Sequence, residues 1–212
     1  MPAAILIPLL AALSLSVPQT KTRQSDDLFT EIYNRSIITK RSMHSIRARF
    51  TETTVSSLLV KPIVAHGTVV AASPARVLMT YTDPEPKTIA MDGTSLTVVW
   101  SGRRERERMD ITAVQKRVDQ YFTRASIDGL RKMFEIAAEP DPSMRHTDRI
   151  EMRPKRKPIK EGLERLELWI DRESDLLVQM RLTFPGGDRK TFALDGIAVN
   201  VPVSDETFQI RP

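Results

Sequence analysis

The chain has 212 residues, 41% hydrophobic and 28% charged, a balance that supports one packed domain and excludes global disorder. It has no cysteine, which excludes disulfides, thiolate metal ligands, a cysteine nucleophile and a lipid anchor attached through cysteine. The net charge of +5 is mildly basic, and much of the excess lies in one stretch, residues 149–165.

Residues 1–16, MPAAILIPLLAALSLS, carry no charged side chain. Ala3–Leu15 is an apolar run of the length of a signal-peptide core, shorter than the roughly 20 residues of a membrane span. Ser14 and Ser16 are small residues placed for cleavage. The reading is a signal peptide over 1–17 and a single domain over 18–212, exported and soluble after cleavage.

The stretch SDDLFTEIYNRSIITKRS predicts a helix. Ser25 or Asp26 caps its start, and Leu28, Phe29, Ile32 and Tyr33 form one apolar face. The period then changes from 3.6 to 2. In SIRARFTET, Ile46, Ala48 and Phe50 alternate with polar residues, as in a half-buried strand. Further strands are predicted at HGTVVAA, RVLMTYT, KTIAM and SLTVVW, with Val77, Met79 and Tyr81 on one face and Leu96, Val98 and Trp100 on another. Pro84 and Pro86 belong to a connection, and Asp92-Gly93 marks a tight hairpin turn.

In the middle, GRRERERMDI reads as a polar strand or an exposed loop. TAVQKRVDQYFTR and IDGLRKMFEIA show helical spacing, through Val114, Val118, Tyr121 and Phe122, then Leu130, Met133, Phe134 and Ala137. Sheet patterning returns afterwards: Leu166, Leu168 and Ile170 on one face, then Val178, Met180, Leu182 and Phe184 together, a PGGD turn, and Phe192 with Leu194. About ten antiparallel strands with few helices predict an α+β, mainly β, fold: a curved sheet or unclosed barrel with helices set against it.

Motifs of catalysis are missing: no G-x-S-x-G, no phosphate loop, no H-E-x-x-H and no G-x-G-x-x-G. His44, His66 and His146 are scattered, so the expectation is a protein that is not an enzyme and needs no cofactor or metal. The basic segment with Arg149, Arg153, Lys155, Arg156, Lys157 and Lys160 reads as a solvated hairpin loop, with docking to a membrane or partner, or to nucleic acid, as other readings. It has no aromatic residue for base stacking. The apolar strand faces fit either a plain core or the wall of a lipid cavity, where methionines adapt to mobile chains.

The phrases Phe50-Thr51-Glu52-Thr53, Gly67, Pro74, Val77 with Met79 and Tyr81, Pro84-Glu85 and Asp92-Gly93 occur in an order and spacing that resembles the outer-membrane lipoprotein carrier family, LolA. The C-terminal LELWIDRESDLLVQMRLTFPGGDRKTFALDGIAVN and VPVSDETFQIRP resemble that family's last sheet and closing phrase. The resemblance implies an unclosed antiparallel barrel with a helical lid over an apolar cavity. It implies a periplasmic monomer that takes lipoproteins or lipids as cargo from an inner-membrane lipoprotein-releasing transporter to an outer-membrane acceptor, without nucleic acid. A lipid- or lipoprotein-sensing regulator of envelope stress is the alternative on the same scaffold. Carried over by position, the cavity is lined by Val77, Met79, Tyr81, Ile89, Leu96 and Val98, by Leu28 and Ile32 of the first helix, and by Phe50, Met180 and Leu182. The family's lid-latching arginine before the proline is replaced here by Ser73. Arg76, at an odd offset, is expected on the opposite face of its strand.

Overall fold

A computed structural model describes residues 20–73, 75–103, 105–118 and 125–210. The signal peptide expected at 1–17, Pro74 and the apolar pair Tyr121 and Phe122 lie outside them.

Helix α1 (Thr20–Ser42) leads into a meander of six strands: β1 (Ser45–Val55), β2 (Ile63–Ala72), β3 (Arg76–Asp83), β4 (Lys87–Met91), β5 (Ser95–Trp100) and β6 (Glu105–Asp110). Helices α2 (Thr112–Val118) and α3 (Ile127–Met133) follow. A second meander comprises β7 (Phe134–Pro140), β8 (Thr147–Pro154), the single turn α4 (Lys157–Lys160), β9 (Arg165–Asp171), β10 (Leu177–Thr183) and β11 (Arg189–Val199). A 3-10 turn at Asp205–Phe208 is the last element of the described residues.

The strands form one antiparallel sheet in the order β6-β5-β4-β3-β2-β1-β11-β10-β9-β8-β7. Every neighbour is a sequence neighbour except β1 and β11, whose pairing joins the two meanders at the centre. Each of these two strands has 11 residues, long enough to serve as a common spine. Their ladder shifts between Arg47 and Arg49, and Gly196 takes a φ of 58° at that irregularity, where a side chain would be strained. The edges β6 and β7 do not pair with each other, so the barrel stays open.

The sheet departs from the helical reading of IDGLRKMFEIA. Helix α3 stops at Met133, and Phe134 and Ala137 lie in β7, which pairs with β8 along its full length. The local spacing fits a helix, but the ladder to β8 supplies backbone hydrogen bonds that a short isolated helix end cannot match. The polar stretch before α2 is strand β6, all six residues exposed. In β10 the register shifts between Leu177 and Gln179, so Leu177 takes the inward place opposite Ile170 that alternation assigns to Val178. Phe184 falls beyond the strand.

Candidate functional site

The register carries a single face across the whole sheet. Phe50 lies opposite Gly67, Gly67 opposite Tyr81, Tyr81 opposite Lys87, and Lys87 opposite Trp100. The next rung is Ala48, Val69, Met79, Ile89 and Val98, and the one beyond carries Ala71, Val77, Met91 and Leu96. Toward the second meander, Glu52 faces Phe192, Phe192 faces Met180, and Lys190 faces Leu182. Phe50, Val77, Met79, Tyr81, Ile89, Leu96, Val98, Met180 and Leu182 therefore share this inner face; Met180 and Leu182 join one apolar cluster, Phe50, Met79, Tyr81 and Ile89 join a second, and Val77, Leu96 and Val98 lie outside both.

The first cluster fills the half made by β7–β10. Phe29, Ile32, Leu130, Phe134, Ile150, Met152, Leu166 and Ile170 are buried in it, with Leu28, Met180 and Leu182 packed alongside. Helices α1 and α3 cover this half, and both contact β7. The structure thus places Leu28 and Ile32 in a solid core, Ile32 only 2% exposed, and away from β3–β5. Arg131 of α3 donates to the Asp26 carbonyl and to Thr30 Oγ1, both at 3.1 Å, which holds the two helices together.

The second cluster sits on β1–β4 and β11. Phe50, Ala65 and Tyr81 are buried, with Val69, Met79, Ile89, Phe192 and Leu194 partly buried around them, and no described helix residue joins it. Gly67 makes the centre possible: a Cβ there would stand 2.2 Å from the Thr80 carbonyl oxygen and 2.6 Å from Phe50 Cζ. The bare backbone lets the Phe50 ring lie over β2 and meet Tyr81 edge-on at 4.9 Å between centroids. Farther out, Val77, Met91, Leu96 and Trp100 are half-buried although they point inward, while Val98 is buried.

A polar corner closes one end of this face. Tyr81 Oη donates to Glu52 Oε2 at 2.5 Å, and Lys190 Nζ lies 2.7 Å from Glu52 Oε1. Burial by itself pushes the Glu52 carboxyl up, but the hydrogen bonds from Lys190 and Tyr81 outweigh it and hold Glu52 below its ordinary value. Burial and the neighbouring carboxylate push the Tyr81 phenol far up. Lys87 Nζ rests 4.7 Å from the centre of the Tyr81 ring. Sequence reasoning missed this corner. The parity signal was present, because Glu52 is two residues from Phe50 and Lys190 two from Phe192.

The outer face is charged. Glu167, 2% exposed, lies 3.4–3.7 Å from Arg149, Arg165 and Arg181, and Arg149 also pairs with Glu139. The basic segment is accordingly no simple loop: Arg149 and Arg153 belong to β8, and Lys155 Nζ donates to the Arg131 carbonyl at 2.8 Å. Arg76 points outward as expected, where it pairs with Asp205 and stacks 4.8 Å from the Phe208 ring centre. It clasps the C-terminal turn to the back of β3 and no helix to the front. A cleft of about 280 Å³ between that turn and the outer face of β4–β6 is lined by Thr97, Arg106, Arg108 and Phe208.

Asp92 organises the turn before β5. Its carboxylate accepts from the amides of Thr94 at 2.9 Å and Ser95 at 2.6 Å, which holds it well below the usual range. Gly93 has a φ of 87°, and the loop from Asp92 to Thr94 is longer than a two-residue hairpin. Of the histidines, His66 pairs with Asp83 at 2.7 Å on the surface, both side chains 52% exposed. Among the described residues no group of three or more histidines and carboxylates is placed to hold a metal ion. Among them, too, no helix is long and apolar enough to cross a membrane.

A family model described as outer membrane lipoprotein carrier protein LolA matches residues 41–211. The chain belongs to the LolA family. No curated protein matches it. Solved structures share the LolA-like fold at low identity. Lipoprotein LppX of Mycobacterium tuberculosis aligns at 15% identity over 85% of this chain and 99% of its own, with a TM-score of 0.56. An uncharacterized conserved protein from Thermus thermophilus aligns at 10% over 87% and 94%, with a TM-score of 0.55. The MucA/MucB complex of Pseudomonas aeruginosa aligns at 13% over 89% of this chain and 61% of that one, with a TM-score of 0.51. At these identities the likeness is one of fold.

Proposed function

We propose that this LolA-family chain is a periplasmic carrier that holds the acyl chains of lipoproteins or related lipids against the inner face of β3–β5. It takes them from an inner-membrane lipoprotein-releasing transporter and yields them to an outer-membrane acceptor, acting by binding and handover and not by turnover. One observation carries the reading. Val77, Met79, Ile89, Met91 and Leu96 form an apolar inner face that stays half-buried, while α1 and α3 pack on the other half of the same sheet.

The energetics suit such a surface. An acyl chain is worth about 0.8 kcal/mol per buried CH₂, so a chain of about 16 carbons resists entering water by roughly 12 kcal/mol. A carrier must offer comparable apolar contact and still release it. Methionine and aliphatic side chains on an open sheet, with no described helix packed into their cluster, supply the first without preventing the second.

Mass spectrometry under native conditions, on protein purified from its own host without delipidation, tests the reading. It predicts a lipid or acylated peptide bound at one per chain. A lipid-free protein that also fails to bind an apolar fluorescent dye contradicts it.

A further inference from the structure

The polar corner at the end of the inner face holds two lysines around one carboxylate. Lys190 is committed to Glu52 at 2.7 Å, and the other Glu52 oxygen accepts from Tyr81 at 2.5 Å. Among the described residues no carboxylate lies within ion-pair distance of Lys87, whose ammonium rests over the Tyr81 ring at 4.7 Å. The Glu52 carboxylate thus has its hydrogen-bond partners, whereas Lys87 acts on it only through space and makes no close ion pair of its own among the described residues. Glu105 and Glu107 share the face, but they stand on the exposed edge strand, with β5 between them and β4. At the strand spacing of a sheet, Lys87 and Glu105 are about 10 Å apart, where salt screens exposed charges.

The position of Lys87 matters as much as its charge. It occupies the first residue of β4, on the same face as Ile89 and Met91 and opposite Trp100. A ligand lying along β3–β5 meets apolar side chains for its length and then this ammonium, which rests over the Tyr81 ring and stands opposite Trp100 in the ladder. That is the order of groups in an amphiphile, chain first and anionic head at the end. The apolar face is three strands wide, room for more than one chain.

Resting on the carrier reading, we infer that Lys87 receives the phosphate of an anionic diacyl lipid whose chains lie along the inner faces of β3–β5. The charge selects the head, and the apolar face holds the tails whatever the head. An ammonium–phosphate contact beside a low-dielectric wall is a charge-assisted hydrogen bond, stronger than one in open water.

The test is displacement of an apolar fluorescent dye from the delipidated full chain by dioctanoyl phosphatidylglycerol, dioctanoyl phosphatidylcholine, dioctanoylglycerol and octanoate. The inference expects phosphatidylglycerol to displace the dye roughly tenfold better than dioctanoylglycerol, with phosphatidylcholine between them. Lys87→Met is expected to bring phosphatidylglycerol and dioctanoylglycerol within about twofold of each other, and Lys87→Arg to restore most of the gap. Equal displacement by all three diacyl lipids overturns the inference and leaves the carrier reading standing. A gap that survives in Lys87→Met also overturns it. Octanoate acting as well as phosphatidylglycerol replaces the phosphate head with a fatty-acid carboxylate and overturns the assignment. Failure of every lipid to displace the dye removes the carrier reading as well.

Discussion

Arg35 on α1 donates from Nε to Asp175 Oδ1 at 2.7 Å, joining the first helix to the turn between β9 and β10. Its Nη2 lies 3.8 Å from Asp148, a carboxylate only 5% exposed that also accepts from Arg172 at 2.7 Å. The leading helix is therefore fixed to the second meander by charge as well as by Phe29 and Ile32. Replacing Arg35 by Ala leaves Asp148 and Asp175 with fewer partners and is expected to cost about 1–2 kcal/mol in urea unfolding. A double-mutant cycle with Asp175→Asn should show a coupling of about 0.5–1 kcal/mol, and strict additivity would show that the contact contributes nothing.

Gly67 is irreplaceable on geometric grounds. In Gly67→Ala the new methyl meets a backbone oxygen of β3 and the Phe50 ring together. A flexible side chain can yield, whereas a ladder carbonyl cannot move without breaking the β2–β3 pairing. The expected loss is about 2–3 kcal/mol, read as a lower urea midpoint with an unchanged slope. A change within about 0.5 kcal/mol of zero would mean that β2 and β3 are not packed as described.

Glu52 ties stability to acid pH. Folding holds its carboxyl below the ordinary 4.5, so the unfolded chain takes up the proton first. The contribution is complete above pH 4.5 and declines as pH falls toward the folded value. The unfolding free-energy difference between wild type and Glu52→Gln should be widest near neutrality and narrow on acidification. A difference independent of pH between neutrality and the acid limb would contradict the Lys190–Glu52–Tyr81 arrangement.

The free edge β6 is protected by its own charges. Pairing two copies edge to edge about a twofold axis sets same-face residues opposite each other, so Glu105 and Glu107 confront carboxylates or Arg106 confronts Arg108. Sedimentation velocity should find a monomer. The triple variant Arg106→Thr, Glu107→Val, Arg108→Thr should sediment faster as concentration rises. A variant that stays monomeric at every concentration would show that charge is not what keeps the edge free.

Where local pattern and long-range pairing agree, the elements were legible from residues alone. Lys87–Met91 and Ser95–Trp100 are bounded by prolines and by the Asp-Gly turn, and both strands run as alternation predicts. The illegible parts depend on distant segments. Phe134 fits the helical spacing of Leu130 and Met133, and only β8 makes it a strand. Val178 loses its inward place to a register shift that alternation cannot show. The amphipathic pattern of α1 says that Leu28 and Ile32 face inward, but not which half of the sheet receives them. Arg149 and Arg153 read as loop charges because their partners Glu139, Glu151 and Glu167 come from neighbouring strands and from β8 itself. Of the candidate site, the apolar lining on β3–β5 was readable by parity, whereas Lys87 and Lys190 gained meaning only once β4 and β11 were set beside β3 and β1.

The two tryptophans give the most direct test of the central claim, because Trp100 lies on the inner face of β5 and Trp169 on the outer face of β9, its Nε1 donating to Asp141 at 2.6 Å. Fluorescence is read while a diacyl lipid brominated along its chains is titrated into Trp169→Phe, which keeps Trp100, and into Trp100→Phe, which keeps Trp169. The account predicts strong quenching in the first protein and little in the second. Quenching of Trp169 with Trp100 untouched, at saturating lipid, would place the acyl chains off the inner face of β3–β5 and contradict it.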